Sequence, residues 1–474
     1  MKKSTLFLFL LAISSFSFAQ PEADTVARIE KIFSRYLPQN PGCQLSISRN
    51  GRVIFSKAWG MADLEHQIPL TTESIIESGS VSKQFTAAAI LLLEQQGKVS
   101  LDDNIRKYFP EMPDYGTPIT LRRMMHHSSG LRDWGSVAGI AGWPRTTKTY
   151  SNADALDIII HQKALNHKPG DEFSYCNSNY NLFAILVERV SGLSLADFTR
   201  KYLFEPAGMT HTQWRDNFKR IVANRAIAYD KTPDGYETDM PNEYVYGNGG
   251  LLTTTGDLLK WNEYYWNGHF GSPSLLPKQL TIEVFNNGTT YPYAAGLYVT
   301  KNKGQDYVYH TGSTASYRAI LIRYPQSNLS IAWLSNTAQF DGAPYNVVKE
   351  VENLFISDQS SKSEASKPDS PASTARKTTN PIPIESLPSF AGEYYSEEAQ
   401  TTFSIFEKDG KLTLRQAPGV DLVLTPTDLD TFKAPATSRG LAGAILTFQR
   451  DKKNVNGFTV TVSRARNVSF LKKR

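Results

Sequence analysis

Apolar residues recur along this chain in two rhythms, and the order in which the rhythms change predicts its architecture. From Ala23 to Tyr36 they return every three to four positions, the spacing of an amphipathic helix. Gln44 to Ser48 and Val53 to Ala58 then read as strands around Asn50-Gly51, a two-residue hairpin turn. Val81 to Gln96 is strongly apolar and stops at Gly97, which suits a helix closed by a C′ glycine. Residues 100–270 read as helix and loop. Turns fall at Pro169-Gly170, Ser191-Gly192 and Pro206-Ala207-Gly208, and capping boxes at Ser194/Asp197 and Thr254/Asp257. Strand character returns at Tyr307 to His310, Tyr317 to Tyr324 and Leu329 to Leu334, followed by a helix near Tyr345 to Phe355. Strands at both ends with helices between them predict an α/β fold. Its antiparallel sheet is built from both termini and flanked by helices, and a helical insertion forms one wall of a cleft.

The rhythm vanishes over residues 357–384, where Ser, Lys, Thr, Ala and Pro predominate, and this stretch is expected to be a flexible linker. Residues 385–474 show short alternating runs, among them Thr402 to Phe406, Lys411 to Arg415, Ala444 to Gln449 and Gly457 to Val462. They predict a small all-β, barrel-like domain. At the other end, Lys2 and Lys3 precede an apolar run and the small-residue site Ser17-Phe18-Ala19, the form of a secretory signal peptide over residues 1–19. The main domain is then expected over residues 21–356. Export implies a periplasmic or extracellular protein, and no later stretch is apolar enough for a membrane span.

Charge changes the picture little. The formal net charge of +5 falls to 5 − 2 = +3 without Lys2 and Lys3, and the remaining basic residues are scattered. Nucleic-acid binding needs a clustered basic face, so it is not expected. No His-Glu-Xaa-Xaa-His and no cluster of Cys and His implies a metal, and no organic cofactor is implied either.

The candidate chemistry begins at Ser80-Val81-Ser82-Lys83. Residues three apart at a helix start share a face, so Lys83 can stand beside Ser80. A nucleophilic serine needs a group to take its proton, and a lysine serves if burial lowers its pKa. The spacing alone is weak, since about one or two occurrences arise by chance. Ser469 to Lys472 repeats it, on a strand where the two side chains oppose each other. The bland alternative is a helix cap with an exposed lysine. In the segment Pro169 to Asn177, Tyr175 and Asn177 lie two apart in an extended stretch and face the same way, one able to relay a proton and the other to orient a carbonyl. Tyr150-Ser151-Asn152 shares the pattern without the context. His310-Thr311-Gly312-Ser313 ends a strand. Gly312 would let a ligand approach the backbone, and the Ser313 N–H could join that of Ser80 as an oxyanion hole. A histidine at a strand end is also commonly structural.

In this order, these residues resemble the serine β-lactamase and penicillin-binding-protein superfamily, closest to its class C-like, esterase and D-aminopeptidase branch. The resemblance covers Ile29 to Phe355. It includes Ile119 to Arg122 leading to His127-Ser128-Ser129-Gly130-Leu131, Val190-Ser191-Gly192, and Gly249-Gly250-Leu251 before Asp257-Leu258. It implies that Ser80 is acylated, that Lys83 and Tyr175 share general-base duty, and that Asn177, His310, Gly312 and Ser313 contact substrate. The small β domain resembles a lipocalin-like appendage. Two departures stand out. Cys176 replaces a small residue and is expected to point away from the cleft; nothing brings it to Cys43, so no disulfide is expected. His310 replaces a lysine that would hold a substrate carboxylate. A neutral histidine there favours uncharged esters and amides, with anionic substrates gaining as pH falls through ~6.5. The expected function is an exported serine hydrolase of small esters, amides or D-amino-acid peptides. A β-lactamase or D,D-carboxypeptidase, a sensor that acylates without turnover, and an adhesion module are alternatives.

Overall fold

The computed structural model describes residues 23–145, 147–339, 345–357, 384–438, 440–452 and 454–473. The expected signal peptide and nearly all of the expected linker lie outside the described residues.

Six antiparallel strands form one sheet. They are β1 (Cys43–Arg49), β2 (Arg52–Trp59), β3 (Tyr298–Asn302), β4 (Gln305–Thr314), β5 (Tyr317–Tyr324) and β6 (Leu329–Ser335), in the spatial order β3-β4-β5-β6-β1-β2. Asn50 and Gly51 join β1 to β2 at φ 53° and 75°, the left-handed pair that a tight hairpin requires. β1 then pairs with β6 from Cys43↔Ser335 to Arg49↔Leu329, so the two ends of the domain meet in the middle of the sheet.

Alternation along the strands separates two cores. Ile320, Ile322, Ile331 and Trp333 pack with Ile29 and Phe33 of helix α1 (Ala23–Phe33), and with Val347, Val348 and Val351 of a helix at Asn346–Phe355. Their sheet neighbours Ala319, Leu321, Ala332 and Leu334 face the opposite way, onto α2 (Lys83–Gln95) and the helical insertion. Every residue of α2 from Lys83 to Leu93 is buried, as expected for a helix that is apolar nearly all round. Two further helices bear on the site: α3 (Trp134–Ile140) and α4 (Asn177–Ser191).

After Ile384 the chain forms a nine-stranded antiparallel sheet, from β7 (Gly392–Ser396) to a last strand at Ala465–Lys472. Its edge strands, Val420–Val423 and Thr425–Asp428, are separated only by Leu424, so the sheet curls into a nearly closed barrel. Phe390, Tyr394, Phe403, Phe448, Phe458 and Phe470 fill it.

The barrel is docked on the main domain through α3. Val137 and Ile140 of that helix belong to the barrel's own apolar core. Gln416 Nε2 donates to the Gly139 and Ile140 carbonyls, both at 2.9 Å, satisfying two groups at the helix end. Beside this contact Arg132 and Glu398 form a buried ion pair across the junction. Glu398 also accepts from the Lys163 and Ser469 N–H groups at 2.8 and 2.9 Å, so the buried carboxylate is well satisfied.

Candidate active site

Ser80 sits in a one-turn 3₁₀ segment, Gly79–Ser82, that leads directly into α2. Lys83, the first residue of α2, is fully buried, which excludes the exposed-lysine alternative. Its Nζ has three oxygen neighbours: Ser80 Oγ at 3.1 Å, Asn177 Oδ1 at 3.0 Å and the Asn248 carbonyl at 2.5 Å. Burial holds the Lys83 amine well below the usual lysine range, and the positive charges of Arg464 and Arg145 push the same way; Asp133 and Cys176 oppose them. A neutral amine has two hydrogens and one lone pair. The two acceptors without a hydrogen, Asn177 Oδ1 and the Asn248 carbonyl, take the hydrogens. The lone pair is left for the one neighbour that can donate, the Ser80 hydroxyl.

Tyr175 and Asn177 do face the same space, as their spacing predicts. Both line a cleft of about 450 Å³ with Ser80, His310 and Ser313. Burial raises the pKa of Tyr175, so it remains a phenol. Its ring lies 4.8 Å from Lys83 Nζ. The segment carrying it is held by the resembling phrase upstream: Ser174 N–H donates to the His127 carbonyl at 2.8 Å, and Cys176 N–H to His127 Nδ1 at 3.1 Å. His127 takes φ 58° to present both groups. Asn177 N–H donates to Asp133 Oδ2 at 2.7 Å, which fixes the start of α4. Cys176 is turned into the core, and both cysteines are buried and free. The decoy Tyr150 is buried, its hydroxyl donating to the Trp143 carbonyl at 2.5 Å.

The strand β4 brings His310 to Ser313 alongside, with two corrections to the sequence reading. Gly312 is buried and does not line the cleft. A methyl group there would lie 2.0 Å from the Ser78 carbonyl oxygen and 3.2 Å from Ser80 N, so the missing side chain admits the serine's own backbone rather than a ligand. Likewise a methyl on Gly79 would meet Ser313 N at 2.6 Å. The two glycines let the backbones of Ser80 and Ser313 close on one another. His310 does line the cleft, but it is buried; Tyr293 Oη lies 3.1 Å from its Nε2 and the Thr311 carbonyl 2.6 Å from its Nδ1. Burial, with Lys83 nearby, lowers its pKa to about 3, so it stays neutral and gains no charge as pH falls through 6.5.

Two participants were not visible in the sequence. Asn248 contributes a main-chain carbonyl, which no residue type encodes; its only signal is its place before Gly249-Gly250. Arg464 comes from the barrel, at the turn before its last strand, and its guanidinium lies 4.9 Å from the Tyr175 ring centroid. A lone arginine in a hairpin carries no motif. Among the described residues, no group of His, Cys, Asp or Glu could hold a metal, and no helix is long and apolar enough to cross a membrane.

A buried lysine beside a serine, at the junction of an antiparallel sheet and a helical insertion, defines a serine hydrolase of the β-lactamase and penicillin-binding-protein type. Residues 29–349 match the Beta-lactamase family, and the chain belongs to it. It is similar to Penicillin-binding protein 4* of Bacillus subtilis (strain 168), 27% identical over 409 residues, which span 82% of this chain and 87% of that protein. It is also similar to a D-aminopeptidase of Brucella anthropi, 27% identical over 342 residues, which span 70% of this chain and 62% of that protein. The octameric penicillin-binding protein homologue from Pyrococcus abyssi shares the fold, with TM-score 0.60 and 22% identity, over 95% of this chain and 99% of its own.

Proposed function

We propose that the protein is an exported hydrolase that cleaves small esters or amides, D-amino-acid peptides among them, through an acyl-enzyme on Ser80. The observation that carries this reading is the environment of Lys83: a buried amine whose lone pair is left for the Ser80 hydroxyl. Ser80 Oγ adds to the substrate carbonyl as its proton passes to Lys83 Nζ. The oxyanion is met by the Ser80 and Ser313 N–H groups, whose backbones the two glycines bring together. The leaving group departs with a proton from the Tyr175 phenol, which Lys83 restores. Water then attacks the acyl carbon as its proton passes to the same amine; the bond from the acyl carbon to Ser80 Oγ breaks, and Lys83 returns the proton to Ser80. Export is supported by the basic, apolar and small-residue order of the first nineteen residues. The similarity to a D-aminopeptidase supports amide substrates.

The test is incubation with a fluorophosphonate followed by peptide mapping, then turnover of a panel of esters, D-amino-acid amides and β-lactams. A single adduct on Ser80 and turnover of esters or amides are expected. An adduct on another residue overturns the nucleophile; a stable Ser80 adduct without turnover of any substrate favours a sensor instead.

A further inference from the structure

We propose that Arg464, delivered by the barrel, is the anion-binding residue of this cleft, and that the substrates are esters or amides bearing a carboxylate. The proposal rests on the acyl-enzyme reading of Ser80 and narrows its substrate class.

Two cationic side chains line the cleft, Arg145 and Arg464. Arg145 is already paired with the Glu243 carboxylate, Nε to Oε2 at 3.1 Å. Arg464 makes no ion pair among the described residues, and its guanidinium lies along the face of Tyr175, which lines the cleft together with Ser80. A guanidinium stacked on a ring keeps its N–H edge free, and that planar fork matches a carboxylate. The carboxylate of Asp133, whose own N–H donates to the Arg464 carbonyl, is committed to backbone: it accepts from Asn177 N–H at 2.7 Å and from Ser136 N–H at 3.1 Å.

The hairpin bearing Arg464 is fixed by four contacts, none of which uses that side chain. The Arg464 carbonyl accepts from Asp133 N–H and from Asn166 Nδ2, each at 3.0 Å. Arg466 N–H donates to Asn166 Oδ1 at 2.7 Å, and the Arg466 guanidinium pairs with Glu172 at 2.6 Å. An exposed hairpin gains little from so many anchors unless its position matters. His310 leaves the adjacent strand without a charge, and Arg464 supplies one from the other side of the cleft. The preference for uncharged substrates inferred from His310 alone is thereby reversed.

The experiment compares kcat/KM for two matched substrate pairs. One is mono-4-nitrophenyl glutarate against its methyl ester, with the charge on the acyl side. The other is 4-acetoxybenzoate against methyl 4-acetoxybenzoate, with the charge on the leaving group. Removing one charged hydrogen-bonding partner by Arg464→Met should lower the anionic-to-neutral ratio of at least one pair about ten- to a hundredfold. Arg464→Lys, which keeps the charge, should retain most of that ratio. Ratios in both pairs that Arg464→Met leaves within about twofold of wild type overturn the proposal. Fluorophosphonate mapping on each variant separates the two readings: loss of Ser80 labelling in the wild type refutes the acyl-enzyme, whereas normal labelling with insensitive ratios refutes only the role of Arg464.

Discussion

Gly312 and Ser78 approach so closely that a methyl group on the glycine would sit 2.0 Å from the Ser78 carbonyl oxygen. The strand and the serine turn therefore cannot part by even a methyl's width without moving the two N–H groups assigned to the oxyanion. Gly312→Ala should cost about 1–3 kcal/mol of stability by overpacking. Its kcat should fall roughly 10²-fold or more, the scale of losing an oxyanion donor. Urea unfolding and steady-state kinetics on one preparation check both. Wild-type kcat in a folded Gly312→Ala protein would remove Ser313 from the mechanism.

Tyr175→Phe removes the phenol that lines the cleft with Ser80 and should lower kcat/KM roughly 10²-fold while leaving the fold intact. Tyr150→Phe removes only a buried hydrogen bond to the Trp143 carbonyl and should cost about 1 kcal/mol of stability with activity nearly unchanged. Kinetics on the pair tell the two tyrosines apart. The opposite pattern would transfer the proton relay to Tyr150.

The pH profile should report Lys83. Its proton is disfavoured by burial, Arg464 and Arg145 and favoured by Asp133 and Cys176, while His127 and His310 beside it are held neutral. The working base is the neutral amine, so kcat/KM should climb as pH rises through the depressed pKa of Lys83. Removing the positive charge of Arg464 makes protonation easier. The acid limb measured on a neutral ester should therefore move to higher pH in Arg464→Met, by roughly half to one pH unit. A limb that moves down or stays in place counts against Lys83 as the base.

Lys83 also sets a stability slope. Between the depressed pKa of the folded state and the unfolded value, the unfolded chain carries a proton on this lysine and the folded chain does not, so folding releases one. The folded state of the wild type should thus gain on that of Lys83→Met as pH rises from 7 towards the unfolded value near 10.4. The gain should approach about 1.4 kcal/mol per pH unit where the proton difference is complete. Chemical denaturation of both proteins at pH 7 and 9.5 measures it. Parallel pH dependences would mean that Lys83 is charged when buried.

Local pattern carried the sheet and the centre of the site. The hairpin at Asn50-Gly51, the apolar α2 and the spacing of Ser80 to Lys83 and of Tyr175 to Asn177 are relations within a few residues, where periodicity speaks directly. β3 was missed because Tyr298 to Asn302 is a half-exposed edge strand with a polar end, so neither rhythm marks it. Gly312 was assigned the wrong neighbour because a glycine signals close approach without saying of what. The positions of Asn248 and Arg464 depend on a main-chain carbonyl and on the docking of a second domain, and neither leaves a periodic trace. His310 was legible as a departure, but its inability to titrate follows from burial among Tyr293, Tyr298 and Lys83, which only the fold supplies.

Val137 and Ile140 lie inside the barrel's apolar cluster, so the barrel is held to α3 by packing as well as by the chain that leads into it. A cut at a protease site engineered between residues 358 and 383 should leave a nicked protein that migrates as one particle and melts in one calorimetric peak. Neither fragment can withdraw without exposing the other's interior. The barrel is therefore less an appendage on a leash than the missing half of a clasp, and α3 is its tongue.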